Sequence, residues 1–377
     1  MSAGIYLHIP FCKQACHYCD FHFATNLNLK ENMLKAMCKE LIDNKYALEN
    51  ETISTIYFGG GTPSLLSLTD IEQYLSTIKK NYHLEENAEI TLEANPDDIT
   101  LEKAQNWRAA GINRLSIGVQ SFRQEDLIWM NRAHHAKQAI DSIQIAQKSG
   151  FSNITIDLIY GLPIGTSKDW ENNLKMAFDS GVNHLSAYAL TVEKGTPLQR
   201  LILKNKMKAP EDAKAAEQFE ILLLQIEANN WEQYEISNFC RDQYYSKHNT
   251  SYWLQKPYLG IGPSAHSFIG QKRFWNIKHN VRYIDAINKN QNCKEEELLS
   301  SKDYYNEMVM TGLRTKWGFD AQKAQKLTGI YIYDQYDDVI LGYIKNGYMI
   351  KRDHLLLLTS KGKFIADGIA SSLFVLN

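Results

Sequence analysis

Cys12-Lys13-Gln14-Ala15-Cys16-His17-Tyr18-Cys19, followed by Asp20-Phe21, is the stretch from which the rest of the chain is read. Three of the chain's six cysteines lie in it, spaced first by three intervening residues and then by two. Neighbours this close pair poorly as disulfides, and one thiol would be left over. The spacing instead lets three thiolates converge on one centre from a single loop. Thiolates are the soft ligands that iron–sulfur clusters take. A [4Fe-4S] cube needs four ligands, so three cysteines leave one iron open to another molecule.

Two other readings compete. Zinc takes three cysteines plus a histidine, and His17 and His22 are at hand. Structural zinc sites usually pair their ligands as two knuckles, however, and the chain has no second Cys-x2-Cys. Three unrelated buried thiols are the remaining option, against which the tight spacing argues. Cys38 belongs elsewhere: it shares a helical face with Met33, Leu34, Met37 and Leu41 and reads as core.

The chain has 377 residues, enough for two or three domains at about 150 residues each. One barrel with a small appendage fits as well. An apolar fraction of 44% supports a sizeable core. Lysine and arginine number 41 against 43 acidic residues, which argues against an electrostatically driven nucleic-acid binder. No apolar run approaches the roughly 18 residues of a membrane span, and the first residues lack the basic and apolar regions of a signal peptide. Exposed reactive thiols suit a reducing cytoplasm. Homodimerisation and peripheral attachment to a membrane stay open.

From Gly4 to Leu190, strand-like and helical runs alternate. Strands are predicted at 4–9, 53–58, 88–93, 114–119, 154–159 and 184–190, with helices near 29–48, 69–82, from Thr100, 136–148 and 168–179. Such alternation argues for a parallel sheet with outer helices. Six units joined by right-handed crossovers make an incomplete barrel, open along one side. The cysteine loop, Gly59-Gly60-Gly61-Thr62-Pro63, Glu93, Gln120 and Asp157 all fall at or near the carboxyl ends of strands, the end at which barrels carry their sites. Each has a plainer reading. The glycines suit a loop of unusual φ, the polar residues are ordinary strand ends, and Arg132 reads equally as a solvated surface arginine.

Residues 210–230 read as an amphipathic helix with Ala216, Phe219, Leu223 and Ile226 buried, and 231–239 as one further edge strand. The segment from His248 to Phe268 is rich in aromatics and glycine and shows little period. Composition there favours His248 as part of a packed, hydrogen-bonded cluster. A flat apolar ligand with a metal is the alternative, with His248 or His266 as ligand. The expected organisation is 1–230, 231–300 and 301–377. The last part carries helices at 308–313, 320–327 and 360–374 and a hairpin at 348–358, an arrangement like a winged helix, but no basic cluster supports nucleic-acid binding.

The loop resembles the Cys-x3-Cys-x2-Cys signature of the radical S-adenosylmethionine (SAM) superfamily, whose fold is a radical SAM barrel of the TIM-like (β/α)6 kind. Further motifs extend the resemblance over nearly the whole chain: Tyr6 to Cys12, Gly59 to Pro63, Gly118-Val119-Gln120-Ser121-Phe122, Asp157 to Pro163, and Gly312-Leu313-Arg314. The branch resembled holds the oxygen-independent coproporphyrinogen III oxidases and the HemW-type heme chaperones. The resemblance implies cluster ligation by Cys12, Cys16 and Cys19, with SAM chelated at the open iron and cleaved to a 5′-deoxyadenosyl radical. Tyr6 and Tyr18 are implied beside the cluster and SAM, Gly60, Gly61 and Thr62 at the methionine moiety, and Glu93, Gln120, Arg132, Asp157 and Ala189 in the SAM pocket.

Two departures separate the chain from the oxidases. Their fourth cysteine, two residues past the third, is Phe21 here, and their extension ahead of the loop has no counterpart before Cys12. Cys19-Asp20-Phe21 and the His-Asn-x-x-Tyr-Trp run match the chaperones instead. That match reverses the reading of His248 and implies heme contact through His248, Asn249, Tyr252 and Trp253. The implied partners are heme, apo-hemoprotein recipients and a reductant. Porphyrinogen decarboxylation is the alternative activity, and a structural zinc protein the third reading.

Overall fold

The structure is a computed structural model and describes residues 2–376. Six parallel strands stand side by side in chain order: β1 (Ser2–Ile9), β2 (Thr52–Gly60), β3 (Leu84–Ala94), β4 (Arg114–Gln120), β5 (Asn153–Tyr160) and β6 (His184–Ala189). Helices Lys30–Asp43, Leu68–Asn81, Leu101–Ala110, Ala136–Lys148 and Ser167–Asp179 make the crossovers. Ser67, Thr100 and Thr166 cap three of them, each accepting a backbone N–H from the first turn.

The strands are two-faced. In β1 the side chains of Ile5, Leu7 and Ile9 are fully buried in the main apolar core, while Tyr6 and His8 point the other way. In β4 the same alternation sets Leu115, Ile117 and Val119 in that core and leaves Arg114, Ser116 and Gly118 facing inward. The outer face packs the helices; the inner face is polar.

β1 and β6 do not pair, so the barrel is incomplete. Beyond β6 lie β7 (Glu232–Glu235) and β8 (Asn238–Cys240), β8 antiparallel to both β6 and β7. Residues 231–239 are thus two short strands where one was expected. Glu235 turns the corner, its carboxylate accepting the Ser237 N–H at 2.9 Å and the Asn238 amide at 2.8 Å. Beyond β1 lie β9 (Tyr258–Ile261), β10 (His266–Ile269), β11 (Lys272–Asn276) and β12 (Lys294–Leu298). β9 is parallel to β1 and the others are antiparallel in turn. Strands of four or five residues around Gly260 and Gly262 are too brief to show a period, which is why this segment read as irregular.

Helix Lys247–Trp253 lies at the amino ends of β1–β3. There His248 meets Thr55 and its backbone N–H donates to Glu89 at 3.1 Å. Helix Asp212–Ala228 buries Gln218, Phe219, Leu222 and Ile226, with Ala216 exposed and Leu223 half-buried, so its buried stripe is displaced from the expected one. Gln218 accounts for this: its side chain accepts the Gly161 N–H at 2.7 Å, placing a polar residue at the helix–strand contact.

The last part has its own core around Tyr305, Val309, Phe319, Leu356 and Ile369. Helices Ser301–Leu313, Ala321–Thr328 and Tyr333–Lys345 pack on a three-stranded sheet of 319–320, 355–358 and 349–352, a winged-helix-like arrangement. The helix at 333–345 was not anticipated because Ile340 is its one buried residue. The expected 360–374 helix breaks at Ile365 into Ser360–Lys363 and Ala366–Ser372. This unit touches both sides of the sheet opening. Arg314 pairs with Glu235 at 3.3 Å and Lys316 with Glu232 at 2.6 Å on one side; Glu307 pairs with Arg273 at 2.6 Å on the other.

Candidate functional site

The cysteine loop leaves β1 at Pro10 and is fastened along its length. The Cys12 N–H donates to Ala24 O at 3.1 Å, and the His17 N–H to Met130 O at 3.1 Å. The side chain of Asn131 donates to Ala15 O at 2.8 Å, and Lys13 reaches Asp97 at 2.8 Å. His17 and His22 are occupied in holding the loop, through Trp129 O at 2.8 Å and Asn280 at 2.7 Å. Cys12, Cys16 and Cys19 all open into one cavity of about 390 Å³ at the carboxyl ends of the strands.

Among the described residues no three His, Cys, Asp or Glu side chains converge as a single metal ion requires. A cube makes no such demand, because each thiolate binds a different iron. Three thiols lining one cavity are compatible with a cluster bound through three of its irons. Burial pushes the Cys12 thiol up to about 11 and the Cys19 thiol to about 12, and each feels the neighbouring thiols. Such thiols stay protonated until a metal displaces the proton.

Arg132 organises the opposite wall. Its guanidinium donates to Cys16 Sγ at 3.3 Å, to Asn95 at 2.8 Å and to Gly118 O at 2.8 Å. Gly118 leaves room for it, since a Cβ would lie 3.0 Å from the Gln120 amide and 3.2 Å from this guanidinium, both of which would have to give way. Burial acts to lower the Arg132 pKa, but the adjoining Tyr18 and Cys16 outweigh it and the net shift is upward. Arg132 Nε is buried without a partner. A buried cation with a free donor calls for an anionic group.

Glu93 and Asp157 face it from β3 and β5. Glu93 accepts the Tyr57 hydroxyl at 2.8 Å and the Gly60 N–H at 3.2 Å. Burial lifts Glu93 to about 8 and Asp157 to about 6. Two buried carboxyls beside one another favour a cationic ligand, which would restore their ionised forms. Gln120 sits at φ 66°, a left-handed residue at the end of β4 that turns into the cavity.

The glycines after β2 serve packing first. A Cβ at Gly61 would lie 2.6 Å from Phe11 O and 2.8 Å from Ile9 O; one at Gly60 would strike His8. They seat the end of β2 against the root of the cysteine loop, and Gly60, Gly61 and Thr62 line the cavity as a consequence. Tyr18, Glu93, Gln120, Arg132, Asp157 and Ala189 line it as well. Tyr6 does not; it packs beside Tyr57 and His248 and its hydroxyl meets His8 at 3.1 Å.

The His-Asn-x-x-Tyr-Trp run is shared among different places. Asn249 reaches the floor of the cavity. His248 is 1% exposed, with Nδ1 2.8 Å from the Thr55 hydroxyl and Nε2 2.7 Å from the Tyr252 hydroxyl. Burial lowers it to about 3, so the ring is neutral. Gly4 makes its space, because a Cβ there would lie 3.1 Å from the imidazole. Trp253 lies under the Arg314 guanidinium, 5.4 Å away, against the last domain.

Tyr252 lines a second cavity of about 370 Å³ with Tyr6, His8, Phe21, His22 and His266. Asp20 and Phe21 border both cavities. Asn95, Arg114, Ser116, Thr155, Ser186 and Tyr188 also line the first cavity and were not anticipated. For Arg114 and Ser116 the signal was present: Arg114-Leu115-Ser116-Ile117-Gly118 alternates polar and apolar, so a strand with a polar inner face was legible.

A model described as "Radical SAM superfamily" matches residues 6–177, and one described as "HemN C-terminal domain" matches 299–365. A Bacillus subtilis protein named heme chaperone HemW is 32% identical, over 97% of each chain. A Mycobacterium tuberculosis protein of the same name is also 32% identical, covering 98% of this chain and 94% of its own. The solved structure of coproporphyrinogen III oxidase (HemN) from Escherichia coli superposes with a TM-score of 0.85 at 22% identity, over 99% of this chain and 90% of that one. That likeness carries the fold.

Proposed function

Because the chain belongs to the HemW family of the radical SAM superfamily, we propose that it is a heme chaperone: it holds a [4Fe-4S] cluster and SAM, binds heme, and passes heme to apo-hemoproteins. Cys12, Cys16 and Cys19 hold the cluster, which when bound supplies one electron at its open iron. Arg132 steadies the Cys16 thiolate and sets a positive charge at the cavity for the ligand's carboxylate. Glu93, oriented by Tyr57 and Gly60, takes the ligand's ammonium group, with Asp157, Gln120, Thr62 and Ala189 completing the wall. A reductant of the cytoplasm serves the cluster. No helix among the described residues is long and apolar enough to cross a membrane.

The observation that carries the reading is one cavity in which three thiols, an unsatisfied buried arginine and two buried carboxyls face one another. Phe21 stands where the oxidases place a fourth cysteine, which disfavours decarboxylation. The test is transfer. Anaerobically reconstituted protein is loaded with heme and mixed with an apo-b-type hemoprotein. Appearance of the recipient's Soret band supports the reading. Conversion of coproporphyrinogen to protoporphyrinogen under reducing conditions with SAM, without transfer, overturns it.

A further inference from the structure

We propose that heme sits in the second cavity, outside the barrel mouth, with His266 as its axial ligand; the proposal rests on the chaperone reading and gives it a place. Of the histidines lining that cavity, His8 has both ring nitrogens engaged, Nε2 donating to His22 O at 2.9 Å and Nδ1 meeting Tyr6. His22 has Nε2 committed to Asn280. The nitrogens of His266 make no hydrogen bond within the described residues. Its ring is steadied instead by stacking on Trp275, 5.5 Å away at 25°. The turn that delivers it holds Gly262 at φ 102° and Ser264 at φ 66°, a left-handed residue beside the cavity.

The rest of the lining suits an iron porphyrin. The macrocycle supplies four nitrogens, so one imidazole completes a ligand set without the convergent side chains a bare ion needs. Among the described residues no such convergent group exists. Phe21 is 64% exposed, an apolar ring open to a flat ligand. Tyr252 and Tyr258 meet edge to face with centroids 4.5 Å apart and form another wall. Lys278 is exposed at the cavity and can pair with a propionate. The volume, about 370 Å³, lies within the range of ligand pockets, and exposed Phe21, His266 and Lys278 leave one side open, as a cargo that must depart requires.

This placement gives His248 a positioning role. Its imidazole holds the Tyr252 hydroxyl, so it acts on the heme wall from inside the barrel. Phe21 and Asp20 border both cavities, so heme and the cluster share a partition.

The test is a titration of anaerobically reconstituted full-length protein with ferric heme, read by absorption and EPR. His266→Ala is expected to weaken binding by about 10–100-fold and to remove the imidazole-ligated signature, which free imidazole restores, with iron and sulfide content unchanged. His248→Gln is expected to keep that signature with weaker binding. If His266→Ala titrates like the parent while His248→Gln loses imidazole ligation, this placement is overturned and the chaperone reading stands. If the parent protein binds no heme, both fall.

Discussion

The two cavities on either side of Phe21 are built from opposite materials. The first is lined by thiols, two buried guanidinia and buried carboxyls that burial holds protonated to higher pH. The second is lined by aromatic rings and neutral imidazoles and opens to solvent. The first comes from the inner faces and carboxyl ends of the six parallel strands. The second comes from β1, the end of the cysteine loop and the added strands β9 and β10. A charged, enclosed site suits a small zwitterionic ligand held in one pose. An aromatic, open site suits a flat ligand that has to leave.

The comparison breaks most sharply at the cysteines. Cys16→Ala is expected to abolish cluster assembly while heme still binds, measured by iron and sulfide analysis alongside heme titration. Loss of both together would mean that the cavities are not separate sites. Glu93→Gln acts on the first cavity only. It is expected to weaken SAM binding by roughly 30-fold, about 2 kcal/mol, by equilibrium dialysis.

The pH dependence follows from the same carboxyls. Burial raises Glu93 from 4.5 to about 8 and Asp157 from 3.8 to about 6. A ligand ammonium favours their ionised forms, so SAM affinity is expected to climb as pH rises from about 6 to about 8, with proton release on binding. Without ligand the sign reverses. The folded state holds the Glu93 proton more tightly than the unfolded chain, so its contribution to stability is lost as pH rises from 4.5 through about 8. Heme binding is not expected to follow either trend. Calorimetry in buffers of different ionisation enthalpy separates them.

Smaller effects lie in the frame. Gly61→Ala drives a Cβ into the Phe11 and Ile9 carbonyls and is expected to cost about 1–3 kcal/mol in thermal unfolding, with reduced iron loading. Arg314→Ala removes pairs to Glu235 and Asp367 and the cover over Trp253. It is expected to cost roughly 1–2 kcal/mol and to leave both cavities working, by the same melts and titrations.

The first cavity was far more legible in the sequence than the second. Cys12 to Cys19, Glu93 and Asp157 stand at the ends of strands long enough to show a period. Asn153–Tyr160, for example, differs from its expected bounds by one residue at each end. The resemblance implied Tyr6 beside the cluster and SAM; in the structure its side chain borders the second cavity. The second cavity depends on strands of four residues, on a left-handed Ser264 and on an imidazole defined by what it fails to bond, none of which leaves a local pattern. His248 illustrates the same limit. Composition suggested a packed histidine and resemblance suggested a heme contact; Thr55 and Tyr252 now hold both of its nitrogens.

The central claim is that Cys12, Cys16 and Cys19 would hold a cluster in the cavity where Glu93 and Arg132 would bind SAM. EPR of the anaerobically reconstituted, reduced protein with and without SAM tests it most directly. The account predicts a [4Fe-4S] signal whose g-values shift when SAM is added, and no shift in Glu93→Gln at the same SAM concentration. Protein that takes up zinc in place of iron, or a cluster signal indifferent to SAM, would contradict it.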